Sequence, residues 1–144
     1  MKIQFWGSTD DVTGSMTFVH TAHGIFAVDC GLAQGTNLAE EINELMPPTH
    51  PKDVSAIVIT HAHLDHTGFI PRMVKKGFRG KIYCTPATSK LMQIILMDSA
   101  KLNGESQLYE EKDVSLTLPL IQMIEWNQDF EVLGAKCRFI PAGH

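Results

Sequence analysis

The feature that most constrains this chain is the run Thr60-His61-Ala62-His63-Leu64-Asp65-His66-Thr67-Gly68, placed directly after the strongest strand candidate in the sequence, Asp53–Thr60. The centre of that strand, Ala56-Ile57-Val58-Ile59, is apolar and β-branched, a pattern that suits a buried strand. In extended backbone, residues i, i+2 and i+4 point to one side. His61, His63 and Asp65 are therefore expected to converge, while Ala62 and Leu64 face the packing. His66 joins them only if the chain turns there, and a helix from near His66 to Lys76, closed by Gly77, supplies such a turn. Two imidazoles and one carboxylate suit zinc, and iron or manganese less well. A fourth ligand exceeds what one catalytic ion needs while it keeps a position open, which points to two ions that clamp and ionise a bridging water. The alternatives are a surface loop or tract rich in histidine by chance and a helical HExxH zinc site. Three of the seven histidines fall here beside a carboxylate, which disfavours chance. The two-residue spacing after a β-branched strand disfavours a helix.

Around this centre the chain reads as strands first, then strand and helix in alternation, which predicts an α/β layered fold. Lys2–Trp6 alternates as a strand, with Phe5 and Trp6 expected in the core at the sheet edge, and Gly7–Gly14 is a polar loop. Ser15–His20 and Gly24–Asp29 form a hairpin through Thr21-Ala22-His23-Gly24. Asn37–Leu45 reads as a short helix, with Asn37 as N-cap and Pro47-Pro48 as its stop. Lys81–Cys84 reads as a strand. A helix opens at Pro86 and runs to about Leu102, another spans Glu110–Leu118, and a last pair of strands lies in Glu131–Ile140 around Gly134-Ala135.

The cluster resembles the HxHxDH signature of the metallo-β-lactamase superfamily at every fixed position. The resemblance implies an α/β fold, the N-terminal half of a metallo-β-lactamase αββα sandwich with a dinuclear site at the sheet edge. It would assign His61 and His63 to a first metal and Asp65 and His66 to a second. His144, in Phe139-Ile140-Pro141-Ala142-Gly143-His144, resembles the later histidine that completes the first metal. Asp29, in Val28-Asp29-Cys30-Gly31, resembles the early Asp that supports the ligand loop through hydrogen bonds.

Several blocks resemble the β-CASP branch of RNA-processing nucleases: Phe5-Trp6-Gly7-Ser8, Val12-Thr13-Gly14-Ser15, Val28–Gly35, Met97–Lys101 and Tyr109–Val114. The resemblance implies a zinc-dependent hydrolase, with two Zn2+ and with Mn2+ or Fe as alternatives. It would cleave RNA phosphodiesters through a metal-bound hydroxide that attacks phosphorus in line. Asp65 would be the catalytic proton carrier as well as a ligand, and single-stranded RNA the partner. Residues 1–144 are then expected to be the N-terminal part of a longer domain, ending at the third metal-ligand motif and without the β-CASP insert, inactive alone. Two other readings stand beside this one. A hydrolase of a thioester, lactone or other small substrate is disfavoured by the N-terminal blocks. A non-catalytic scaffold subunit of an RNA-processing complex is disfavoured because all four ligands of the cluster are present.

Weaker signals are read more plainly. Arg72, Lys75, Lys76 and Arg79 could hold an RNA backbone, but a solvated helix face is the favoured reading. His20, His23 and His50 read as surface residues, and Cys30 as a small buried hydrophobe. The run Met92–Met97 reads as core or as an interface with further parts of the protein, and self-association stays open. The balance of 12 Lys+Arg against 16 Asp+Glu, net −4, supplies no bulk basic field towards nucleic acid or membrane. Three widely spaced cysteines without a CxxC pair fit a reducing cytoplasm. The N-terminus does not read as a signal peptide, and no apolar run approaches the ~18 residues of a membrane span.

Overall fold

The computed structural model describes residues 1–8, 13–35, 38–102 and 108–144. Asn37, Val12 and much of the Gly7–Gly14 loop lie outside the described residues. Along the chain run β1 (Lys2–Trp6), β2 (Met16–Thr21), β3 (Gly24–Val28), α1 (Ala39–Glu44), β4 (Val54–Val58), α2 (Leu64–Thr67), α3 (Ile70–Lys75) and β5 (Lys81–Cys84). They are followed by α4 (Pro86–Leu102), α5 (Glu111–Thr117), β6 (Ile121–Met123), β7 (Asp129–Val132) and β8 (Ala135–Arg138). The first six strands form one sheet in sequence order, and β7 and β8 form a separate antiparallel pair. Strands β1 to β3 are antiparallel to their neighbours, whereas β3 to β6 are parallel. The C-terminal ends of β3, β4 and β5 therefore share one edge of the sheet, which is where open parallel sheets place their sites.

Both faces of the central strands are buried, and for two different reasons. Phe18, Ala27, Ile57 and Ile82 point to one face and pack against Met73, Val74, Met92, Leu96 and Val114 of the helices. Phe26, Ala56 and Val58 point to the other, where Val132 and Phe139 of the β7–β8 unit cover them. Tyr83, Phe130 and Phe139 continue that second layer as stacked rings 5.5 and 5.1 Å apart. The result is helices, sheet and hairpin in three layers, in agreement with the α/β expectation.

Helix ends follow local chemistry. The Thr85 hydroxyl accepts from the Thr88 N–H ahead of Pro86 at the start of α4. Glu110 and Asp113 form a reciprocal cap on α5.

Three expectations need correction, and one strand was not foreseen. The helix placed at His66–Lys76 begins two residues earlier, at Leu64, and is split into α2 and α3. The Phe69 N–H leaves the helical ladder to donate to the Cys30 carbonyl (2.9 Å), which accounts for the break. β4 stops at Val58 because the Thr60 N–H turns to the Asp29 carboxylate. The short edge strand β6 was not anticipated, since three residues after Leu118-Pro119-Leu120 carry too little alternation to be seen. Phe5 is 67% exposed, because its face of edge strand β1 lies outside the patch under β7–β8, whereas Trp6 packs against the main core.

Candidate metal centre

The site is built where β3 and β4 end side by side. Asp29 follows β3 with φ 59°, a left-handed conformation that Asp tolerates better than most residues. Its N–H donates to the Val58 carbonyl (2.9 Å), which fixes it against the end of β4. Its buried carboxylate accepts from the Thr60 N–H (2.8 Å) and contacts the Thr60 hydroxyl at 3.0 and 2.9 Å. It also accepts from His66 Nδ1 (2.8 Å).

Beyond Thr60 the chain runs outside any regular element to His63, the extended N-cap of α2. Ala62 is buried between two more exposed histidines, so the alternation expected for this segment holds to His63. It fails at Asp65, which lies in the first turn of α2 rather than on an extended strand. An acidic side chain is favoured there by the helix N-terminus.

The helix is held by a neighbouring loop. The Ser15 N–H donates to the Asp65 carbonyl (2.9 Å), Cys30 N–H to His66 (2.8 Å) and Leu32 N–H to Leu64 (3.1 Å). Gly31 is obligatory in this contact: a Cβ would lie 1.6 Å from the Asp65 carbonyl oxygen. Asn43 of α1 braces the loop from the other side, accepting from the Ala33 N–H (2.8 Å) and donating to the Ala33 carbonyl (2.9 Å).

His61, His63 and His144 offer ring nitrogens that all lie within 4.8 Å of one another. His61 Nε2 and His63 Nδ1 are 3.2 Å apart, and His144 Nε2 and His63 Nδ1 are 3.4 Å apart. A tetrahedral zinc with Zn–N bonds of about 2.0–2.1 Å separates its ligand nitrogens by about 3.3 Å. The donor set therefore fits such an ion in its chemistry, and both contacts of His63 fit it in spacing. Asp65 and His66 stand beside this trio as a second pair, with His66 Nε2 3.5 Å from Asp65 Oδ2 and the His61 and His66 rings 4.1 Å apart.

The environment separates two of the imidazoles. The hydrogen bond to Asp29, with help from the Asp29 and Asp65 charges and against partial burial, pushes the His66 pKa above its ordinary value. Burial first, and the neighbouring imidazoles next, push the His61 pKa down.

The four basic residues singled out in the sequence are not gathered at this edge. Arg72 Nη2 donates to the Glu44 carbonyl (2.6 Å), and its guanidinium lies 5.5 Å from the centre of the Phe69 ring. Arg79 Nη1 donates to the Val74 and Phe78 carbonyls (2.7 and 2.6 Å) at the end of α3. Lys75 stands 3.9 Å from Asp113, and Lys76 is exposed beside it. Gly80, next to Arg79, packs on the Ser55 carbonyl at the start of β4, the end opposite His61. The residue that sequence reasoning passed over is Thr60, quoted in the motif but given no role. Its position directly before His61 was the only available signal.

Known proteins resemble this chain along most of its length. The sequence profile of the metallo-beta-lactamase superfamily matches residues 9–125. A ribonuclease of Thermus thermophilus is 34% identical over 144 residues, which cover 100% of this chain and 33% of that protein. Transcription termination factor FttA of Cenarchaeum symbiosum is 33% identical over 156 residues, covering 96% of this chain and 22% of the factor. The chain thus spans about a third or less of these relatives' length. Among solved structures, a variant metallo-beta-lactamase from Cronobacter sakazakii superposes with a TM-score of 0.58 at 19% identity, over 93% of this chain and 48% of that one.

Proposed function

Because the chain belongs to the metallo-β-lactamase superfamily, we propose that it carries most of the metal ligands of a nuclease that hydrolyses RNA phosphodiester bonds, of the β-CASP kind. The observation that carries this reading is the convergence of His61, His63 and His144 at one sheet edge, with Asp65 and His66 adjoining. The similarity to a ribonuclease along the whole chain supports RNA as the substrate class over a thioester or a lactone.

In this reading His61, His63 and His144 hold one ion, and Asp65 and His66 contribute to a second, zinc being the metal that suits the donor set. Divalent ions bound there would lower the pKa of water and neutralise charge developing on the phosphate oxygens. Asp29 orients His66 through its Nδ1–H, which leaves Nε2 of the neutral ring free as a ligand. Asp65, whose carboxylate lies 3.5 Å from that nitrogen, would take up a proton during attack. Arg72, Lys75 and Arg79 are engaged with other partners, so we assign RNA selectivity to contacts that the imidazole edge does not itself supply. Among the described residues no helix is long and apolar enough to cross a membrane. Three unpaired thiols suit a reducing compartment such as the cytoplasm.

The test combines metal content, measured by mass spectrometry, with incubation of labelled single-stranded RNA with the whole protein. Bound zinc and RNA cleavage are the expected results. Turnover of a thioester without RNA cleavage by metal-loaded protein would overturn the substrate, and an absence of metal would overturn the centre itself.

A further inference from the structure

We infer that Thr60 is a positioning residue. Its hydroxyl relays the Asp29 carboxylate to His61 and fixes the imidazole proton on Nδ1, so that His61 Nε2 faces the cluster as a bare lone pair.

The inference follows from counting donors. The Thr60 hydroxyl has one proton and two lone pairs. It lies 3.0 and 2.9 Å from the two oxygens of Asp29 and 3.0 Å from His61 Nδ1. An ionised carboxylate only accepts, so the hydroxyl spends its proton on Asp29. Towards His61 only acceptance is left, and an acceptor at Nδ1 requires that Nδ1 carry the hydrogen. In the neutral ring the other nitrogen, Nε2, is then unprotonated, and Nε2 is the atom 3.2 Å from His63 Nδ1.

Asp29 acts on His66 in the same way without an intermediary, since His66 Nδ1 reaches its Oδ2 directly. One carboxylate therefore sets the proton position on two imidazoles. His66 is reached by a direct bond, and His61 across a hydroxyl. The Thr60 N–H bond to Asp29 holds the relay in line independently of the side chain, so removing the hydroxyl need not displace the backbone.

The inference rests on the metal-centre reading for its purpose, but not for its geometry. Thr60→Val keeps the shape and β-branching of the side chain and removes only the hydroxyl, and Thr60→Ser restores it. The first readout is the 15N chemical shifts of the His61 ring in metal-free protein at pH 8, where neutral tautomers are distinguished. The wild type and Thr60→Ser should show the Nδ1–H form, and Thr60→Val a shift towards Nε2–H.

The second readout is zinc affinity by competition with a chelator. It should fall by about tenfold in Thr60→Val, the lower end of the roughly 10–100-fold cost of losing an orienting partner, because Thr60 is an exposed residue. Affinity should recover in Thr60→Ser. A wild-type His61 in the Nε2–H form would overturn the inference without any variant, and so would a Thr60→Val protein with unchanged tautomer or unchanged affinity. If the wild type binds no zinc, the metal-centre reading fails, while the tautomer shifts still decide the role of Thr60.

Discussion

At the scale of single residues, His63 is the pivot of the cluster, since both short nitrogen–nitrogen contacts pass through its Nδ1. His63→Ala should lower zinc stoichiometry well below that of the wild type, read by mass spectrometry of dialysed protein. Unchanged stoichiometry would remove it from the ligand set.

The two perturbed imidazoles make a second prediction, for metal-free protein. NMR titration should place His66 above the ordinary value of 6.5 and His61 below it. Asp29→Asn should bring His66 down, because the hydrogen bond to Asp29 is the largest cause of its rise. The signs for stability are opposite. The raised pKa of His66 contributes stability that is fully present below 6.5 and lost as pH rises through the folded value. The depressed pKa of His61 contributes stability above 6.5 that is lost as pH falls through its folded value. Metal binding requires neutral imidazoles, so zinc affinity should fall on acidification.

At the scale of elements, the four-residue helix α2 is too short to hold itself. Its carbonyls are taken up by Ser15, Cys30 and Leu32, so the ligand geometry of Asp65 and His66 depends on the 30–32 loop. Gly31→Ala would drive a Cβ to 1.6 Å from the Asp65 carbonyl oxygen. Denaturant unfolding should show a loss of about 1–3 kcal/mol, the usual range for forced overpacking, together with weakened metal binding. A variant as stable as the wild type would show that the loop is free to move away.

The β7–β8 hairpin turns on Leu133 and Gly134, at φ 51° and 80°, the pair of positive angles that a two-residue turn of primed type needs. Only Gly134 is suited to this by composition, so the turn is held by burial of Val132 and Phe139 as well as by local preference.

At the scale of the whole molecule, both faces of β4 are buried, and Ile57 is fully enclosed under the helices. Ile57→Ala should cost about 2–5 kcal/mol in denaturant unfolding, as cavity-forming core substitutions do. The three layers also rank the cysteines. Burial pushes the Cys84 thiol up to about 11 and Cys30 well above its ordinary range, the latter with a further push from Asp29. Cys137, half-buried on β8, should be the first alkylated in native protein at pH 8. Labelling of Cys30 or Cys84 ahead of Cys137, followed by peptide mass mapping, would contradict the packing.

What the sequence determined by itself was set by neighbours along the chain. Alternation and β-branching marked β4, and Pro86 marked the start of α4. The spacing of His61, His63, Asp65 and His66 announced a metal-type cluster, because strand period and ligand chemistry act over a few residues. What the tertiary structure decided was everything that depends on sheet order and register. It brought His144 to within 3.4 Å of His63 from 81 positions away. It put the Thr60 hydroxyl between Asp29 and His61, and moved Asp65 from an extended run onto a helix that the 30–32 loop pins. It also turned Arg72 and Arg79 towards main-chain carbonyls rather than the imidazole edge. The physical reason is the same in each case. A local pattern fixes which way a side chain leaves its own element, whereas the partner it meets is set by where a distant segment packs, and no short-range preference encodes that.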